Sequence, residues 1–126
     1  MSERTAGWIL RAAGLYGVAV SLPGLLREAR YSAMFPPTVN HPEFYYGFYA
    51  VTLAWQLAFL VMATEPVRYR LLLLPAMVEK GLFPVLIVWL YATGRVSAMM
   101  FGMSLVDALF LALFIAAFRG LREPRP

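Results

Sequence analysis

"LLLLPAMVEKGLFPVLIVWLY", residues Leu71 to Tyr91, decides how the chain is read. The run has the length of the ~20 apolar residues that cross a bilayer core as a helix. Yet it sets Glu79 beside Lys80, between Pro75 and Pro84. Read as a soluble core helix it is far too apolar. Read as a membrane span it carries two ionisable groups where each costs about 2.5 to 3.5 kcal/mol unless paired or hydrated.

The rest of the chain settles the choice in favour of the membrane. Of the 126 residues, 61% are hydrophobic and 14% charged, against roughly 25% charged in soluble domains, and the mean hydropathy is +0.67. Three more runs have spanning length, at residues 7–26, 44–63 and 98–118. The expected fold is an all-α, antiparallel bundle of four transmembrane helices, at 7–26, 44–63, 71–91 and 98–118. It forms one domain over residues 1–126, with an interfacial loop at 27–43. Arg11 interrupts the start of the first run and no small-residue cleavage pattern follows a short apolar core, so this run is taken as a helix and not as a signal peptide.

Charge assigns the sides. Arg4, Arg11, Arg68, Arg70, Arg119, Arg122 and Arg125 fall on one side, and Arg27, Arg30 and Arg95 on the other. Seven against three puts both termini in the cytoplasm under the positive-inside rule, in an inner (plasma) membrane. The net charge of +4 comes from ten arginines and one lysine spread over helix ends, not gathered on a face, so the partner implied is the lipid bilayer and not nucleic acid. The absence of cysteine excludes a disulfide, a thiol nucleophile and a thiolate metal site. A single histidine, His41, rules out a bis-histidine haem within one chain, so no metal site is expected and no cofactor is evident, with a quinone or a lipid the candidates.

The long connection, "REARYSAMFPPTVNHPE" (27–43), mixes charged and aromatic residues as a short helix in the headgroup layer would. His41, Pro42 and Glu43 suit the start of the second span, and "FYYGFY" (44–49) supplies aromatics at the interface. In the cytoplasmic turn "TEPVRYR" (64–70), Thr64 or Glu65 is expected to cap the third span with Pro66 in its first turn. That would make the second and third spans antiparallel neighbours. Gly94 suits a helix C-cap in the next turn, "TGRVS" (93–97). Ala13, Gly17 and Ser21 on the first span, and Ala108, Ala112 and Ala116 on the fourth, form small-residue ladders. These are expected to mark close contacts within the bundle or between copies.

Folding the chain about its turns brings the buried polar groups together. Gln56 and Glu79 fall at similar depth, and Asp107 lies about 4 to 5 Å along the axis from Lys80 at 1.5 Å per residue. The expectation is that Lys80 pairs with Asp107, that Glu79 looks toward a different helix, and that Gln56, Tyr16 or Ser104 completes the hydrogen bonding, with Trp55 nearby. Pro75 and Pro84 each remove a backbone donor inside the third span and are expected to kink it. His41, Trp8, Trp55, Trp89 and the methionines read as caps, anchors and packing.

The layout of four short helices with both ends inside, a longer first outer connection and a compact "EPVRYR" turn resembles the DoxX-like superfamily of small bacterial membrane proteins, over about Gly7 to Phe118. That resemblance implies a fold, and a link in some members to quinone-coupled sulfur oxidation. Three functions follow from the residues. The chain acts as a scaffold or accessory subunit, as a homo-oligomer or within a larger membrane complex. Alternatively it binds or transports a small amphiphile or proton-coupled substrate through Glu79, Lys80 and Asp107. The third reading is a quinone-linked enzyme in which Glu79 serves as acid or base. The polar cluster itself reads either as a clasp that pins helices in register or as a site.

Overall fold

The structure is a computed structural model and describes residues 1–121, all of whose regular elements are helical. Arg122 and Arg125, counted above on the cytoplasmic side, lie outside the described residues. The elements are α1 (Glu3–Leu26), α2 (Glu28–Met34), α3 (Pro42–Met62), α4 (Leu73–Ala92) and α5 (Ala98–Gly120), with a single 3-10 turn at Arg70–Leu72 leading into α4. Helices α1, α3, α4 and α5 are long and apolar enough to cross a membrane, and the chain is a multi-pass membrane protein. Their large side chains on the outer surface, Leu15, Val61, Val85 and Leu109 among them, are more than half exposed, as suits side chains solvated by lipid.

Local chemistry sets most of the boundaries. Ser2 caps α1 by accepting from the Thr5 amide, and Ser97 caps α5 by accepting from Met100. Pro42 occupies the first turn of α3, with Glu43 near its positive dipole end. At the end of α4, Gly94 takes φ +73°; its amide donates to Tyr91 and that of Arg95 to Leu90, the paired bonds of a Schellman stop.

The turn before α4 differs from the expectation. Thr64 donates its hydroxyl back to the carbonyl of Val61 and so closes α3, while Glu65 pairs with Arg68 at 3.0 Å. Regular helix resumes only at Leu73, because Arg70 is drawn away to the end of α5. There its Nε donates to the carbonyls of Phe118 (3.0 Å) and Leu121 (2.6 Å), and its guanidinium lies 3.9 Å from the Phe118 ring centroid. Pro75 therefore falls in the first turn of α4, where no backbone donor is needed, and does not kink it. Pro84 is the proline inside α4, and it leaves the Lys80 carbonyl without its helical donor.

Packing runs in two antiparallel pairs, α1 on α3 and α4 on α5, with a lighter contact of α1 on α5. The α1 seam repeats every seven residues: Gly7, Gly14 and Ser21, then Leu10, Gly17 and Gly24. A seven-residue repeat keeps one narrow stripe facing the partner helix, and the small residues let the backbones close in. A Cβ on Gly14 would stand 2.9 Å from the carbonyl of Gln56, and one on Gly17 would overlap the Gln56 side chain. The ladder Ala13, Gly17 and Ser21 is thus buried within the chain. The second ladder is not: Ala112 and Ala116 are exposed and Ala108 is half-buried, because α5 turns Ser104, Phe110, Phe114 and Ala117 inward instead.

The second and third spans are not packed neighbours. Helices α3 and α4 stand apart along their lengths and meet through side chains, as where the Phe48 and Phe83 rings approach to 5.8 Å. The tight core of Ala6, Leu10, Phe59, Met62, Leu73, Ala76, Phe114 and Ala117 lies wholly in the half of the bundle that holds both termini. That half is solid. The other half splays open between α3 and α4.

Candidate functional site

The splayed half holds a cavity of about 1110 Å³. Helices α3 and α4 form its walls, α1 and α5 its back, and the segment Pro37–His41 its roof. Val51, Val78 and Leu82 line it and are more than half exposed, so the space opens sideways between α3 and α4. At the mouth, Tyr31 of α2 packs its ring 5.0 Å from Tyr45 and 5.1 Å from Phe35. Burial there pushes the Tyr31 phenol up, so it is uncharged at neutral pH. The Tyr45 hydroxyl donates to the carbonyl of Gly24 and ties α3 to the end of α1.

The floor of the cavity is the polar cluster. Lys80 Nζ donates to Asp107 Oδ1 at 3.1 Å and lies 3.7 Å from Glu79 Oε2. Its side chain is 3% exposed, whereas those of Glu79 and Asp107 are 19% and 20% exposed. The Phe59 and Phe110 rings flank the ammonium at 5.4 and 5.6 Å from their centroids, within cation–π range. The reason Lys80 reaches Asp107 is the close α4–α5 pair, where Gly81 presents only Leu111 nearby. Glu79, one residue earlier on α4, turns about 100° away toward Gln56 of α3, and the lysine still reaches its carboxylate.

The hydrogen bonds expected around this pair form otherwise. Gln56 is fully buried but spends its Nε2 on the Thr52 carbonyl (2.9 Å), and Ser104 donates to the Phe101 carbonyl (2.7 Å). In each case the side chain donates to a carbonyl of its own preceding turn. Tyr16 packs against the Phe110 ring at 5.8 Å, and Trp55 against Phe59 at 6.1 Å. Both line the cavity beside the cluster.

Three oxygens are left over. Gln56 Oε1, Glu79 Oε2 and Ser21 Oγ are buried without a hydrogen-bond partner, and all three residues line the cavity. A buried polar atom left unpaired costs about 1 to 3 kcal/mol, and few are tolerated. Ser21 was legible only as a packing residue. It continues the Gly7 and Gly14 row to the level where α1 meets the cavity, and it lines that space. His41 sits at the roof, where its Nδ1 is 3.3 Å from Glu43 Oε1. The side chains of His, Asp and Glu form no cluster of three able to hold a metal ion among the described residues.

Compared with protein families, with characterised proteins and with solved structures, the chain matches none.

Proposed function

We propose that the chain is an intramembrane binding protein for a small amphiphile, which enters sideways between α3 and α4. The tail lies along the apolar and aromatic walls and the polar head rests on Glu79, Lys80, Asp107 and Gln56. The observation that carries this reading is the pairing of a large lipid-accessible cavity with unpartnered oxygens at its floor. A clasp that only pinned helices would pair its own polar groups and leave no such space. The volume compares with the roughly 300 to 1,000 Å³ of pockets for small organic ligands, which are likewise mostly apolar with a few convergent polar groups. A quinone or a lipid has the required shape. In this reading both termini face the cytoplasm and the cavity opens toward the outer leaflet.

Saturable binding tests it. Protein in nanodiscs of zwitterionic lipid is titrated with a labelled single-chain amphiphile, against discs without protein. Saturation in the protein-bearing discs supports the proposal, and simple partitioning in both overturns it.

A second reading, a scaffold role in an oligomer or larger complex, is favoured by one observation, the outward small-residue face of Ala108, Ala112 and Ala116 on α5. Native mass measurement in gentle detergent decides it: a homo-oligomer or a bound partner supports it, and a strict monomer counts against it.

A further inference from the structure

We infer that the head group held at the cavity floor is a cation bearing N–H donors, a protonated alkylamine in chemical class. This rests on the amphiphile-binding reading and names its ligand. Charge is the first ground. The ionisable groups at the floor are two carboxyls, Glu79 and Asp107, and one amine, Lys80, so acids outnumber bases two to one. Of the two, Asp107 takes the short contact to Lys80, and Glu79 Oε2 is left at 3.7 Å, with no hydrogen bond, beside the open space.

Hydrogen bonding is the second, independent ground. The partnerless atoms at or near the floor are the Gln56 amide oxygen, the Glu79 carboxyl oxygen and the Ser21 hydroxyl. Gln56 and Ser21 are fully buried. The amide oxygen can only accept, and one N–H of the amide nitrogen goes to the Thr52 carbonyl. Two of the three partnerless atoms, Gln56 Oε1 and Glu79 Oε2, are acceptors that no donor of the chain reaches, and an ammonium brings up to three donors to them. A carboxylate head would bring none and would add a third carboxyl beside Glu79 and Asp107. The aromatic walls, Trp55 and the Phe48–Phe83 pair among them, offer ring faces that suit a cation over an anion.

The test is a head-group series on one tail. Decylammonium, decanol and decanoate are titrated into protein in zwitterionic nanodiscs, each corrected by protein-free discs. Decylammonium is expected to bind saturably, at least about tenfold tighter than decanol, with decanoate weaker still. Glu79→Gln is expected to weaken decylammonium by about tenfold or more. Lys80→Gln, which removes the competing positive charge, is expected to hold it as tightly as or more tightly than the wild type. The opposite signs separate a charge effect from misfolding, and far-UV circular dichroism of each variant confirms the helices. If decanol or decanoate binds as tightly as decylammonium, or if Lys80→Gln weakens decylammonium as Glu79→Gln does while both keep their helices, the cation assignment is overturned and the amphiphile reading stands. If none of the three binds saturably, both fall.

Discussion

Lys80 of α4 and Asp107 of α5 meet at 3.1 Å, with Glu79 a further contact at 3.7 Å and two phenylalanine rings over the ammonium. One lysine thus serves two acids at the point where the solid half of the bundle gives way to the cavity. Removing one partner of a buried pair strands the other, whereas replacing both by apolar groups is often neutral. Asp107→Asn is expected to cost about 3 kcal/mol, at the lower end of the range for broken buried pairs because Glu79 remains in reach. Lys80→Met with Asp107→Leu and Glu79→Gln, which strands neither acid, is expected to recover most of that loss. Unfolding in mixed micelles reads both, and an Asp107→Asn protein as stable as the wild type would show that the pair contributes nothing.

Gly14 and Gly47 are both helical glycines, and alanine in a helix interior is ordinarily better than glycine by roughly 0.5 to 1 kcal/mol. Their surroundings predict opposite outcomes. A Cβ on Gly14 would stand 2.7 Å from Leu60 Cγ and 2.9 Å from a backbone carbonyl that cannot yield, whereas one on Gly47 meets nothing within 4 Å. Gly14→Ala is therefore expected to destabilise by about 1 to 3 kcal/mol, in the range of overpacked cores. Gly47→Ala is expected to leave stability unchanged or raised. Thermal unfolding of the two variants side by side decides it, and equal shifts would contradict the close α1–α3 seam.

Gly47 also lines the cavity, so a large side chain there fills space without disturbing the core. Gly47→Trp is expected to keep the unfolding midpoint of the wild type and to abolish saturable amphiphile binding. Binding that survives in this variant would place the ligand elsewhere.

Arg70 satisfies two carbonyls at the end of α5 through one nitrogen and stacks on Phe118. Hydrogen bonds from a charged donor are worth about 1.5 to 3 kcal/mol, and a cation at a helix C-terminus adds to them. Arg70→Gln is expected to lose stability of that order and to speed hydrogen exchange in the last turn of α5 and the turn at Arg70–Leu72. Unaltered exchange at both places would mean that the contact holds neither.

The four spans were legible because length and hydropathy alone define them. The caps at Pro42 and Gly94 were legible because each rests on one residue type with one backbone demand. The meeting of Lys80 and Asp107 could be reached by counting residues from a turn. What could not be read was how far apart α3 and α4 stand, since a short connection fixes order but not contact. Arg70 illustrates the difficulty: its partners, Phe118 and Leu121, are some fifty positions away, and they displace the start of α4 and turn Pro75 from an apparent kink into a first-turn residue. The seven-residue row of Gly7, Gly14 and Ser21 was present in the sequence but hidden beneath the four-residue ladder it crosses. Ala108, Ala112 and Ala116 form an equally regular ladder that the chain itself leaves outside. Spacing alone does not say which face a helix buries.

The proposed binding site between α3 and α4 is tested most directly by photolabelling in nanodiscs. An amphiphile with a diazirine on its tail is irradiated in place and the adducts are mapped by peptide mass spectrometry. Adducts concentrated on the cavity walls, at Phe48, Phe83 and Met100, and suppressed by excess unlabelled amphiphile, are the predicted result. Adducts spread evenly over the lipid-facing residues Leu15, Val61 and Leu109, and insensitive to competition, would contradict a binding site between α3 and α4.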